Sequence, residues 1–582
     1  MKFDQISGWW VELSGWWRQG LHLVPRDAYA PVLDTGGFLG IIAFSVAVFT
    51  LSAPKYQFRQ ATAIIPFRKL FFVTLIISAA ATFAVEAFVM YEIRFPVFID
   101  PNAVNLIIAA VIAFLVIYWM KICFIRPPRF SKFTAPRFFH QSFLYVSNGS
   151  RDELLVLAQE LMHEIPRLVS NSPDRKRSSF MGELPVVSKL EAHAANLLLL
   201  LSDPRFCDVV AEEIPTFPAY LAEQMVALRR PDAPAHLVIR RVVISLLAKP
   251  QSALFVENEW LEQGFAGEVK PITRSIFRNW HKLEQFEGGI ESPLDLDYPH
   301  ARTWDAETWT VYFGMAKEYV RGLTSSEFRN SDANGLSYVL RTTERAYERI
   351  GDVEKYENVF DPHNPRWHAS EANKFLTDII KIFDESGEHV YFSKKDRYYF
   401  GSDLSSKLAK LLYEAIFHAS SVNTKDFTMW DVQHNIVWSP ISRFEIRDTK
   451  IMKMVRRKLR RMIWDEISRM DGFPNYKGAR FVRFCLNVLG FYDEKIHRRD
   501  GLERDSWILA KVVSSWVANN YQTIASSHPP VAEAMLPANI EYDPVREVLI
   551  RSRDDSLTGV SRVKEFSLEP SRASADLTAL NG

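Results

Sequence analysis

The sequence predicts a mainly α-helical membrane protein, with three transmembrane helices near the N-terminus followed by a large irregular α-helical cytoplasmic domain that carries a minor β-hairpin. Three observations predict it. The apolar excess lies within residues 36–125; Lys and Arg are distributed unequally between the links of that region; and from residue 150 onward apolar residues recur at helical spacing between Pro and Gly breaks. Whole-chain averages hide this segregation. The 582 residues carry 70 Lys and Arg against 69 Asp and Glu, a net charge of +1, which excludes an overall basic nucleic-acid binder and an acidic disordered chain.

Residues 1–35 form a Trp-rich segment with a short repeat, Ser7-Gly8-Trp9-Trp10 and then Ser14-Gly15-Trp16-Trp17. On a helix, Trp9, Leu13, Trp16 and Trp17 share one side, which suits a helix lying in the outer membrane interface. The stretches 36–53, 70–91 and 103–125 are long and apolar enough to cross about 30 Å of hydrocarbon at about 1.5 Å per residue, the first being the shortest. Orientation follows from the links. Lys55, Arg59, Arg68 and Lys69 lie between the first two spans, and Lys121 lies at the end of the third with Arg126, Arg129, Lys132 and Arg137 following it, whereas 92–102 holds only Arg94. Translocation disfavours such clusters, so the N-terminus is expected outside and the body in the cytoplasm, in a cell inner membrane. Glu86, inside the second span, is expected to lift its head toward the interface or to pair, as with Arg94, with a role in an ion or proton path as the alternative, and small residues such as Gly36 and Gly40 or Ala109 and Ala113 favour helix association into a homo-oligomer.

Residues 126–149 read as a basic linker, since Pro127 and Pro128 stop the helix and the interleaved cations and phenyl rings suit an anionic leaflet. A Ser150-x-x-Glu153 capping box then opens the helical domain, 150–388. Residues 389–550 form a mixed, mainly helical subdomain, with a hairpin expected at 389–400 and a second strand-like stretch at 427–438; from 551 to 582 the composition predicts a mobile tail.

Chemical motifs are sparse. Three cysteines, Cys123, Cys207 and Cys485, form no CxxC pair, and no phosphate-binding loop, nucleophile elbow or kinase motif set is present. Glu160-x-x-His163 has half of a di-metal bundle pattern, and His363, His368 and Glu371 gather near a helix start, but neither completes a ligand set, so no metal or cofactor is expected. Arg230 with His236, and Arg274 with His281, match the R-x4–6-H spacing of helical ribonucleases, although 14 histidines give about three such matches by chance. The basic run 450–464 places Lys453, Arg456, Arg457, Arg460 and Arg461 around an apolar stripe, which fits anionic lipid, nucleic acid, or a core helix paired with acids. The expected function is a multi-pass membrane protein whose helical body senses or binds a protein partner and acts through an oligomeric bundle in membrane lipid, as a membrane-acting stress or anti-phage effector would. A membrane-tethered nuclease or hydrolase using the body histidines, and a non-catalytic scaffold, are the alternatives.

Overall fold

The computed structural model describes residues 21–22, 36–43, 53–91, 95–96, 100–125, 127–173, 187–231, 233–262, 270–286, 292–296, 301–325, 334–386, 403–424, 427–442, 449–492, 504–554 and 561–569. The chain is mostly helical, with one small three-stranded antiparallel sheet, and divides into two compact units, 1–214 and 215–582. The expected boundary near 388 is displaced because helices on both sides of it pack together within the second unit.

In the first unit, α1 (Pro54–Thr62) starts on a proline at its first turn, where the missing N–H costs nothing. An apolar hairpin follows. Helix α2 (Phe67–Met90) buries Phe67, Phe71, Leu75, Ser78, Thr82, Val85 and Val89, a repeat of three and four residues, against Asn105, Ile108, Ile112 and Leu115 of α3 (Pro101–Met120). Asp100 caps α3 by accepting from the Asn102 amide. Only 28% of the most apolar stretch of either helix is buried. Val73, Ile76, Ile77, Phe83, Ile107, Phe114 and Ile117 face outward.

Among the described residues, two helices and not three are long and apolar enough to cross a membrane. Of the first expected span, 36–43 is described and helical, with Phe38 packed into the hairpin core beside Phe71 and Ile112. At one end of the hairpin Leu21–His22 (β1) pairs antiparallel with Phe95–Pro96 (β2). The Trp-rich repeat lies outside the described residues. Beyond α3 the helix widens into a π turn, Lys121–Ile125, and the expected linker holds helix α4 (Ala135–Asn148), since its prolines interrupt only the residues before it. Helices α5 (Arg151–Met162), α6 (Ile165–Ser170), α7 (Lys189–Leu200) and α8 (Pro204–Glu213) complete the unit. The Ser150 capping box forms as expected. Arg205 of α8 donates to the carbonyls of Ser147 and Gly149, closing the C-terminus of α4.

The second unit builds on α9 (Phe217–Ala227), α10 (Ala235–Leu247), α11 (Ala253–Glu262), a π turn at Arg274–Arg278, α12 (Trp280–Phe286), α13 (Ala306–Ser325), α14 (Asn334–Glu348) and α15 (Pro365–Glu385). Gly322 lets α13 close onto the π turn, because a Cβ there would stand 1.8 Å from the Arg278 carbonyl oxygen. Helices α16 (Leu404–Ala419), α17 (Lys450–Ser468), α18 (Tyr476–Val488), α19 (Arg504–Ser527) and α20 (Pro529–Met535) follow.

Two further expectations are corrected here. The strand-like stretch 427–438 is helical, Phe427–Trp430 in the α register and the remainder, Asp431–Trp438, in the π register. Side chains tie the segment to its neighbours, Asn373 of α15 donating to the Ile436 carbonyl and Gln433 of the segment donating to the carbonyls of Ala419 and Val422. The expected mobile tail supplies the second half of β4 and all of β5 in a sheet of β3 (Ile540–Asp543), β4 (Val548–Asp554) and β5 (Ser561–Ser567), in that order. Buried Leu549 and the stacking of Phe566 on Phe491, 4.4 Å between centroids, anchor them. The hairpin expected at 389–400 lies outside the described residues.

Candidate functional site

A polar cluster of the first unit joins the apolar hairpin to helices α1, α4 and α5, and it begins with two prolines. In an α-helix the carbonyls of Cys123 and Phe124 bond to the amides of residues 127 and 128. Both are proline, so neither carbonyl has that donor, and in the π register Cys123 meets Pro128 and fails again. The Arg59 guanidinium supplies the donor: its Nη1 bonds to the Cys123 carbonyl. Its other edge forks onto Glu160 of α5, Nε to Oε2 and Nη2 to Oε1, both at 2.8 Å.

Arg59 and Glu160 side chains are only 10% and 7% exposed. Such a bidentate, desolvated pair binds at fixed geometry. Lys55 adds a longer contact to Glu160, 3.9 Å.

Packing surrounds this pair. Phe58 of α1 is buried between Phe138 and Tyr145 of α4, both ring centroids 5.8 Å away, and the Tyr145 hydroxyl donates to the Pro54 carbonyl at 3.1 Å. Burial raises the Tyr145 phenol above its ordinary value. Arg137 of α4 donates to the carbonyls of Ala63 and Ile64, past the end of α1. Glu164 accepts from the Phe130 amide, 2.9 Å, fixing the chain after the prolines. The link before α2, the end of α3 and the helices after it are thereby held as one body.

This geometry disposes of the di-metal pattern, since Glu160 spends both oxygens on Arg59 while His163 is exposed at the end of α5. No group of three or more His, Cys, Asp or Glu among the described residues is arranged to hold a metal. His368 is buried against Trp309, with burial pushing its imidazole down to about 4, whereas His363 is exposed and Glu371 lies 3.9 Å from Lys374.

The two ribonuclease-spaced pairs lie in different surroundings. His281 is 2% exposed, its Nδ1 bonds to the Arg278 carbonyl at 2.9 Å, and burial pushes it down to about 4, so it is neutral and enclosed. Arg274 lies half-buried in the π turn. His236 Nδ1 bonds to the Ala233 carbonyl, 3.0 Å, at the start of α10, and Arg230 follows α9, its amide bonded to the Met225 carbonyl.

Buried carboxylates of the second unit are occupied by its fold. Glu257 accepts from the amides of Ile272 and Thr273 and from the Thr273 hydroxyl. Glu284 accepts from the Tyr319 hydroxyl, 2.6 Å, and the Gly335 amide, and burial pushes it up to about 7. A cavity of about 240 Å³ at the start of α13 is lined by Ile244, Leu247, Trp304, Asp305 and His363, with the Asp305 carboxylate already accepting from Thr308 N and Oγ1.

Within the hairpin, Glu86 is half-buried and continues, at four-residue spacing, the line of buried Ser78 and Thr82; Asn105 is fully buried on α3. The basic helix is sorted by its register. Arg456 is buried, 5% exposed, and Lys458 points inward to Asp403 at 2.7 and 2.8 Å; Lys453, Arg457 and Arg461 are exposed and Arg460 is half-buried.

Sequence reasoning missed the Arg59–Glu160 pair. The available signal was the Pro127-Pro128 step after a long apolar helix, which announces carbonyls in need of an outside donor. Comparison with family models, curated proteins and solved structures finds no match for this chain.

Proposed function

We propose that the chain is an integral membrane protein with three crossings, its N-terminal segment outside a cell inner membrane and its helical body in the cytoplasm, and that the Arg59 joint passes the state of the body to an oligomeric bundle of spans. The hairpin supports the membrane setting: its two long apolar helices leave most of their apolar stretch unburied among the described residues, where a soluble core helix would bury it. Three crossings are supported by the ends of the hairpin. Leu21–His22 pairs with Phe95–Pro96 at one end, α1 docks beside α4 and α5 at the other, and Phe38 of the helical stretch 36–43 packs into the hairpin core. Exposed Ile64, Ile65, Phe124, Ile125 and Phe133 at the second end, among Arg68, Lys69, Arg129 and Lys132, have the composition of an inner interface.

The observation that carries the transmitting role is Arg59 itself, one side chain bonded both to the end of the last span and to a body helix. Movement of α5 must move the carbonyl end of that span or break the fork. A membrane-acting stress or anti-phage effector is a setting that fits. The test is mass measurement in detergent together with ion leakage from vesicles: an oligomer is expected, Glu86→Gln should change leakage without unfolding the protein, and Arg59→Met should uncouple leakage from the body. A strict monomer whose permeability is unchanged in both variants overturns the reading.

A further inference from the structure

The exposed side of α17 is densely cationic. Helical register sends Ile451, Met452, Val455, Leu459, Ile463 and Ile467 inward, taking Arg456 and Lys458 with them. Lys450, Lys453, Arg457 and Arg461 are exposed at spacings of three, four and four residues, a line about 16 Å long. Half-buried Arg460 flanks it, and no acid occurs between Lys450 and Trp464; Asp465 is the first. Met454 and Trp464, both half-buried, interrupt the cations with apolar surface on the same side. The chain as a whole is nearly neutral, so this attraction is local to one helix face.

We propose that this face docks on the anionic lipid headgroups of the leaflet facing the body. The inference rests on the membrane reading above. Charge complementarity selects a polyanionic surface, and the mixture of cations with Met and Trp side chains suits a headgroup layer, where charge and apolar contact add. A protein held by its own spans meets that layer at far higher effective concentration than it meets free nucleic acid. Docking orients the body against the membrane, and a change in leaflet charge or in ionic strength releases it.

The test uses the full-length chain in lipid nanodiscs, with acetylation of individual lysines followed by mass spectrometry. Lys450 and Lys453 are the reporters, and inward Lys458 is the internal control. In discs containing phosphatidylglycerol the reporters should be acetylated about fivefold or more slowly than in phosphatidylcholine discs, with Lys458 unchanged and the difference lost in high salt. Each cation near an anionic leaflet contributes about fivefold, so R457Q/R461Q should weaken docking roughly 25-fold and return Lys450 and Lys453 to the phosphatidylcholine rate, while R457K/R461K keeps them slow. Equal rates in the two discs overturn the proposal. Slowing by a short RNA or DNA duplex but not by phosphatidylglycerol overturns it in favour of a nucleic-acid face. A chain that incorporates into neither disc overturns the membrane reading and this inference together.

Discussion

Replacing Arg59 by Met removes a cation that three acceptors share, the two Glu160 oxygens and the Cys123 carbonyl. The Glu160 carboxylate, 7% exposed, is then left charged with only Lys55 at 3.9 Å, and breaking a buried pair in this way costs about 3–5 kcal/mol. Removing both charges is predicted to cost less. In R59M/E160M no buried charge is stranded, and the remaining penalty is the orphaned Cys123 carbonyl, about 1–3 kcal/mol. Charge reversal should fail, because R59E/E160R turns a carboxylate toward that carbonyl. Hydrogen exchange of residues 54–62 and 151–162 in detergent reads the local opening without requiring the whole chain to unfold in one step. R59M should lose roughly a hundred- to several-thousand-fold of protection there, and R59M/E160M distinctly less. If the double variant opens as readily as the sum of the two single variants, the joint is not an ion pair supported by burial and the reasoning fails.

The pH response of the second unit should have two limbs. His281 and His368, both pushed down to about 4 by burial, bind fewer protons folded than unfolded, so their stabilisation is complete above about pH 6.5 and is lost as pH falls toward 4. Glu284, pushed up to about 7, binds more protons folded than unfolded, so its environment costs stability progressively as pH rises from about 4.5 through 7. Thermal unfolding from pH 4 to 8 should show the acid limb flattened in H281Q and the neutral limb flattened in E284Q, which keeps partners for Tyr319 and Gly335; a profile unmoved by either substitution counts against both assignments. Gly322→Ala should destabilise by at least the roughly 1–3 kcal/mol of an overpacked core, since its Cβ meets a backbone carbonyl that cannot rotate away, and a melting temperature equal to the parent's would contradict this. Asp403→Ala removes the partner of Lys458 together with the cap on the Ser406 amide, so urea unfolding should register a loss of about 3 kcal/mol or more, whereas Asp403→Asn should retain the cap.

Helix identity was legible wherever local chemistry decided it. The Ser150 capping box, the apolar pattern of α2 and α3, and the inward stripe of α17 follow from residues three or four apart, the range over which helix faces are set. Illegible parts depend on distant partners. The stretch 427–438 is aromatic and β-branched like a strand, yet it is helical and bonded by Asn373, an amide 63 positions from the carbonyl it meets. Strand β5 carries few apolar residues, and its order derives from β4 and from Phe491. The joint was hidden for the same reason, since Arg59 and Glu160 are 101 positions apart and each reads alone as a surface charge.

Two proposed spans lie between Arg59 and Glu160, and this gives their pair a role during synthesis. At about 5–20 residues per second, Arg59 waits roughly 5–20 s for its acceptor to be made. If both intervening helices have crossed, the two residues are delivered to the same side whatever the orientation. If one has failed, the bilayer separates them and the fork cannot close. On the proposed topology the ion pair would therefore register whether an even number of crossings was completed, and a chain with a stalled helix would be left with α1 undocked and the buried face of α5 open.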